Sequence, residues 1–197
     1  MSGEWIPQVI PGLFTVGTAL TGDSRGSFHK ILSGRPEKTP PLLIEEIFWS
    51  TSEQWVARGM HLQIPPFHGR KMVFATEGKV QDLVVDLRVG SPTYHQLWQM
   101  ELTKQTAGVL IPAGCAHGFV VLEGPATLVY AQECNYSSEC DTGVRLTSLG
   151  VDFSSLTKKL PKNMSQRDLE LPNLEEFNSP FVFDTAEYPN WDAAARA

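Results

Sequence analysis

The sequence predicts an all-β fold, a double-sheet jelly roll of antiparallel strands followed by a short, partly helical C-terminal extension. Two observations predict it. From residue 58 to 136, apolar and polar residues alternate with the period of a strand. Met60, Leu62 and Ile64 alternate with His61 and Gln63, Leu83, Val85 and Leu87 are set against Asp82 and Asp86, and Trp98, Met100 and Leu102 alternate with Gln99, Glu101 and Thr103. Turn residues then cut these runs short at Gly78, Gly90-Ser91-Pro92-Thr93, Gly114 and Glu123-Gly124-Pro125. Strands this short, with turns this frequent, pack as sandwiches or barrels.

In chain order, residues 1–22 hold short apolar pieces, Val9-Ile10 and Leu13-Phe14, broken by Pro7, Pro11 and Gly12, which suits an edge strand and turns. Residues 23–30 read as a turn leading into a strand, and residues 33–41, with Gly34, Pro36, Pro40 and Pro41, as a loop. Leu42–Trp49 is apolar and reads as a strand, although Glu45 and Glu46 would also tolerate helix. Lys71–Glu77 and Val80–Val89, parted by Gly78, read as a hairpin. Val109–Pro112, Phe119–Leu122 and Ala126–Gln132 supply further strands. After Asp152 the pattern loosens: Ser154–Leu160 and Leu169–Phe177 suit short helical turns, and the tail Asp192–Ala197 is expected to fray. The expected organisation is one domain over 1–197, with a jelly-roll core at about 25–152 and an extension over 153–197.

Composition narrows the function. A net charge of −6 lacks the basic surface that nucleic-acid binding requires. The N-terminus has no signal-peptide pattern, and no apolar run is long enough to span a bilayer. Three cysteines, Cys115, Cys134 and Cys140, have no metal-type spacing and make a poor disulfide framework, so a reducing cytoplasm is the expected setting.

The most informative stretch is Arg58-Gly59-Met60-His61-Leu62-Gln63-Ile64-Pro65-Pro66, running on to Lys71. Its polar side carries an imidazole and an amide, flanked by two cations. That combination suits an anionic ligand held beside a proton-transfer group. The tight turn Ile111–Gly114 delivers His117 onto a new strand, Tyr130 shares a strand face with Leu128, and Asp168 lies in the polar stretch Met164–Asp168. Each also has a structural reading: a histidine bonded to a turn, a buried aromatic with one partner, a helix cap.

Taken together, these motifs resemble the dTDP-4-dehydrorhamnose 3,5-epimerase family of cupin-type nucleotide-sugar enzymes. The resemblance runs from Asp23-Ser24-Arg25-Gly26 through Asp168. Arg58-Gly59-Met60-His61-Leu62-Gln63 is similar to the family's Arg-Gly-Leu-His-x-Gln, with Lys71 at the family's lysine spacing. Val84–Thr93 and the Ile-Pro-x-Gly-x-Ala-His-Gly-Phe run at 111–119 match as well. Tyr130 and Tyr136 keep the spacing of paired family tyrosines, and Met164–Asp168 resembles Leu-Ser-x-Lys-Asp.

The resemblance implies epimerisation at C3, C5 or both of a nucleotide-linked 4-keto-6-deoxyhexose, in deoxysugar and O-antigen polysaccharide biosynthesis. It makes His61 the base, Asp168 its orienting carboxylate, Tyr130 the acid and Lys71 the group facing the enolate. Arg25 and Arg58 would hold the diphosphate, and Gln63, His117 and Tyr136 would line the substrate site. It implies no metal and no cofactor, and a homodimer formed through an extended sheet to which the N-terminal strand contributes, burying Val9-Ile10 and Leu13-Phe14.

This chain also departs from the family pattern. The family's Asp-Pro and Trp-Pro landmarks are missing between Val144 and Pro161, Glu46 and Phe48 stand where Gln and Asn are usual, and Gly69 stands where Gln is common. Lys30 occupies the place of a glutamate that can accept from thymine N3–H, so the expected substrate extends to a CDP-linked sugar. Two rivals follow from the same residues. A metal-dependent cupin would need a closer histidine pair than His61 and His68, which a proline turn separates. A non-catalytic nucleotide-sugar binder would have no use for His61, Tyr130 and Asp168 together.

Overall fold

The computed structural model describes residues 4–17, 19–32, 34–35, 39–152 and 163–188. They form β1 (Trp5–Pro7), β2 (Phe14–Gly17), β3 (Ala19–Asp23), β4 (Gly26–Lys30), β5 (Glu46–Ser52), β6 (Ala57–Gln63), β7 (Lys71–Asp86), β8 (Leu97–Thr103), β9 (Ala107–Ile111), β10 (Cys115–Gln132) and β11 (Asp141–Gly143). A short helix, α1 (Gln166–Glu170), follows, with 3-10 turns at Leu146–Ser148, Leu174–Glu176 and Thr185–Glu187. The fold is the expected all-β one. The helical turn expected at Ser154–Leu160 and the tail Asp192–Ala197 lie outside the described residues.

The long strands β7 and β10 run antiparallel, with Cys115 opposite Asp86 at one end and Gln132 opposite Lys71 at the other. Near their middles the register shifts, around Val121, Glu123 and Thr127. Each strand therefore serves two layers. The first half of β7 and the second half of β10 join β9, β2, β1 and β5, whereas the other halves join β8, β6 and β11. The sequence expectation of a hairpin at Gly78, and of separate strands at 119–122 and 126–132, is thus corrected. Gly78 (φ +70°) lies inside one continuous strand, where a Cβ would sit 2.5 Å from Glu123 O and 2.6 Å from Pro125 O. Its glycine permits the two strands to cross closely; it does not turn the chain back.

Apolar residues fill three spaces. Between the layers lie Val73, Val80, Val84, Leu102, Val109, Phe119, Leu128 and Tyr130, joined by Ile10 and Leu13. The outer face of one layer packs Met60, Leu62, Leu83, Val85 and Val120 under Val144, Leu146, Leu174 and Phe181. The outer face of the other packs Met72, Phe74, Leu110 and Ala131 against Val16 and the N-terminal segment. Leu146 fills the core although the family landmarks around it are missing.

Two boundaries differ from the sequence reading. The strand expected at Leu42–Trp49 begins at Glu46, because Pro40 and Pro41 offer their carbonyls to Arg70 Nη1 and Nη2 (3.0 and 2.8 Å) and hold the preceding chain off the ladder. The helical turn expected at Leu169–Phe177 is α1 and a separate 3-10 turn, with Ser165 as the N-cap of α1, accepting from Asp168 N at 3.1 Å. Of the N-terminal apolar pieces, Ile10 and Leu13 are completely buried in the chain's own core, whereas Val9 is 38% exposed.

Candidate active site

Period two explains why the candidate residues converge. On β6, Met60 and Leu62 go to the outer face of their layer, which turns His61 and Gln63 toward the space between layers. The same logic applies to β10, where Cys115, Phe119 and Tyr130 belong to the inner cluster and His117 shares their side. On β7, Val73, Val80 and Val84 are inner residues, so Lys71 and Asp82 are as well. On β5, Phe48 lies opposite Tyr130 and Glu46 opposite Gln132.

His61 is the centre of the polar group. Its Nε2 lies 2.7 Å from Asp168 Oδ1, and its Nδ1 lies 3.7 Å from Asp141 Oδ1. Nδ1 is buried and has no hydrogen-bond partner among the described residues. Burial pushes the Asp168 carboxyl up, but the hydrogen bond and charge of His61, with Ser165 and the Gly59 N–H, outweigh it and hold the group below its ordinary value. Two anchors place α1 beside β6. Asn163 accepts from Ala57 N (3.1 Å) and donates to Trp55 O (3.0 Å), while Arg145 N donates to Pro172 O (2.7 Å).

Lys71 donates from Nζ to His61 O at 3.3 Å. Desolvation lowers its pKa, opposed chiefly by the Asp141 charge. Asp141 is in turn bound by Arg167 Nη2 at 2.5 Å. On the layer that faces His61, which also carries Lys71, Tyr130 is buried and its phenol is pushed up above the usual range, first by burial and further by the Asp82 charge; Ser50 and Arg58 oppose this. The His117 and Tyr130 rings meet in a T-shaped arrangement, with centroids 6.1 Å apart, and His117 pairs through Nε2 with Asp82 Oδ1 at 2.7 Å. Arg58 is exposed and donates from Nε to Ser52 Oγ at 2.9 Å.

Gln63 is already engaged. Its Nε2 donates to Cys134 Sγ and Asn135 O, and its Oε1 accepts from Ser137 N, so it braces the loop that carries Tyr136. Tyr136 is more than half exposed, and its N–H donates to Glu46 Oε2 at 3.0 Å. Arg25 and Lys30 are not joined to this group. Lys30 ends β4 and Arg25 sits in the turn between β3 and β4, two strands that among the described residues pair only with each other; Arg25 is exposed and bound to Asp23 at 2.6 Å.

Sequence reasoning missed Asp82, Asp141 and Arg167. Asp82 had a legible signal, a carboxylate inside a strand of valines and leucines, whereas Asp141 and Arg167 lie in segments without periodicity. Among the described residues, no three His, Cys, Asp or Glu side chains are grouped as metal ligands. His61 and Tyr130 belong to facing layers, so an imidazole and a phenol look into the space between the layers from opposite sides.

Comparison with known proteins gives a consistent result. Residues 7–176 match the family model described as dTDP-4-dehydrorhamnose 3,5-epimerase. The chain is 31% identical over 168 residues to the dTDP-4-dehydrorhamnose 3,5-epimerase of Sinorhizobium fredii, covering 82% of this chain and 85% of that protein. Among solved structures, it resembles a 4-keto-6-deoxy sugar epimerase from the novobiocin gene cluster of Streptomyces spheroides, with TM-score 0.79, 30% identity and 89% of each chain covered. It also resembles the dTDP-6-deoxy-D-glucose-3,5-epimerase of Legionella pneumophila, solved with dTDP-4-keto-L-rhamnose, with TM-score 0.81, 26% identity, and 92% of this chain and 100% of that one covered.

Proposed function

The chain belongs to the dTDP-4-dehydrorhamnose 3,5-epimerase family, a family of isomerases, and from that premise we propose how its own residues perform the reaction. The substrate is a nucleoside-diphosphate-linked 4-keto-6-deoxyhexose, and the carbons inverted are those flanking the ketone. His61 takes the proton from carbon. With Nε2 donating to Asp168, the proton-accepting nitrogen is Nδ1, the atom without a partner. Asp168 holds the tautomer and stabilises the imidazolium. The Lys71 ammonium offsets charge on the enolate oxygen. Tyr130, kept protonated by burial, returns a proton from the opposite side.

The observation that carries this reading is the placement of His61 and Tyr130 on facing layers. Unsatisfied buried atoms support it: His61 Nδ1 and Asp82 Oδ2 have no hydrogen-bond partner among the described residues and belong to the inner faces. Buried polar atoms left unpaired are costly unless a ligand or water completes them.

Arg58 and Arg25 are assigned to the diphosphate, Gln63, His117 and Tyr136 to the substrate site, and Lys30 to the nucleotide base. Arg25 and Lys30 reach the substrate only if the β3–β4 hairpin belongs to a site shared with a second copy. A homodimer is therefore part of the proposal. The outer face of β5, which among the described residues pairs on one side only, supports it: Ile47 and Trp49 are 66% and 72% exposed there. The free thiols of all three cysteines suit a reducing compartment such as the cytoplasm.

Proton NMR in deuterated water, with dTDP- and CDP-linked 4-keto-6-deoxyglucose, tests the function. Deuterium should enter the positions flanking the ketone with inversion; no exchange with either sugar sinks the reading. Calorimetry with CDP and dTDP tests Lys30, and tighter binding of dTDP would overturn its role in selecting cytosine. Light scattering tests the dimer, which a monomer at micromolar concentration would refute.

A further inference from the structure

The inward-facing side chain opposite Tyr130 is not a polar group that could touch the sugar. It is Phe48, whose ring lies flat on the phenol, with centroids 4.7 Å apart and planes 13° from parallel. The phenol also meets the His117 ring in a T-shaped contact, at an interplanar angle of 70°. Tyr130 is therefore held by one stacked ring and one T-shaped ring. His117 is itself fixed by Asp82, while Phe48 belongs to a strand that among the described residues pairs on one side only, and is 38% exposed. Neighbouring inner positions of β5 are polar: Glu46 accepts from Gln132 Nε2 at 2.7 Å, and Ser52 accepts from Arg58. A phenylalanine at 48 breaks that polar series at the register partner of the acid, where its ring stacks on the phenol.

We propose that Phe48 is a positioning residue for Tyr130, and that its stacked ring makes proton removal end in inversion rather than in return of the proton to the same side. The proposal rests on the reading of Tyr130 as the acid. Once His61 has taken the carbon proton, the enolate has two competing donors. If the imidazolium donates, configuration is kept; if the phenol donates, it is inverted and the phenolate is reprotonated from solvent. His61 can exchange its proton with solvent before giving one back, so the first outcome leaves deuterium on carbon without inversion. The stacked ring restricts tilting of the phenol and covers one of its faces from water, and so keeps its O–H both aimed and protonated. The raised pKa caused by burial of the phenol agrees with this role.

The test counts inversions per deuterium incorporated, using whichever of dTDP- or CDP-linked 4-keto-6-deoxyglucose the unaltered enzyme epimerises faster. Phe48→Ala should exchange within about threefold of the unaltered rate and give about tenfold fewer inversions per exchange, the size of a misaligned general acid. Phe48→Tyr, which keeps a flat ring, should restore the ratio. If Phe48→Ala does not fold, Phe48→Leu removes the ring while keeping an apolar side chain. An unchanged ratio in the ring-free variant, or failure of Phe48→Tyr to restore it, overturns the proposal. Tyr130→Phe separates the two readings: if it inverts as often per exchange as the unaltered enzyme, the acid assignment itself fails. If the unaltered enzyme epimerises neither sugar, the function fails and this inference with it.

Discussion

The protein contains two histidine–aspartate pairs of the same geometry, His61–Asp168 and His117–Asp82, each with Nε2 to Oδ1 at 2.7 Å. The two histidines are register partners on β6 and β10. What differs is access. The His61 side chain is 26% exposed and its partner comes from a short helix anchored beside the sheet, whereas His117 is 5% exposed and its partner belongs to an adjacent strand and is fully buried. On the proposed mechanism a proton-transfer group must meet substrate and then exchange with solvent, for which the first pair has the access. The second pair is closed off, and its ring lies against Tyr130. On that reading identical local geometry serves chemistry in one place and alignment in the other, and only the surroundings tell them apart.

The comparison breaks most directly at the histidines. His61→Ala should lower the rate of deuterium exchange roughly a hundredfold to ten-thousandfold, the range for a general base. His117→Ala should lower exchange far less, and equal losses would erase the distinction drawn here. Next in size, Asp168→Asn should lower exchange on the order of a hundredfold, with the fold intact by circular dichroism, since tautomer control and charge are lost together.

Stability should rank the pairs in the opposite order. Asp82→Ala leaves a buried ring N–H without an acceptor, at a cost of about 1–3 kcal/mol. At about 2–4 °C per kcal/mol for a chain of this size, thermal melts should show a loss of several degrees. Asp168→Ala, at the more open pair, should lose less, and a larger loss there would reverse the assignment of roles.

The smallest expected effect is on acid stability. The folded pKa of Asp168 is depressed below its ordinary 3.8. Its pairing therefore contributes stability above that value, lost as pH falls through the folded pKa. Asp86 and Glu133 are depressed in the same sense: burial raises each, and arginine hydrogen bonds outweigh it. Asp168→Asn should therefore make acid unfolding shallower below about pH 4 without abolishing it. An unchanged acid limb would mean that the Asp168 pairing contributes little to the folded state.

The sequence by itself determined the strand faces and the chemical inventory. Alternation through Met60-His61-Leu62-Gln63 and Leu128-Val129-Tyr130 was enough to set His61 and Tyr130 apart from their outward-facing neighbours, because a side chain's face in a strand follows from its parity. The ordered motifs also carried Lys71 and Asp168. Other features depended on chain segments distant in sequence, which no local period encodes. Gly78 looked like a turn, and only the crossing of β10 over it shows a strand that continues. Asp82 alternates with the apolar residues of its strand, but its partner His117, 35 residues later, comes beside it only through the pairing of β7 with β10. Asp141 and Arg167 meet at His61 across a gap of 26 residues, and Phe48 meets Tyr130 through the pairing of β5 with β10. Parity within a strand is local, so the sequence could specify which side chains look inward. Which of them touch depends on the register between strands and on where the two layers fold together, and the tertiary structure alone decided that.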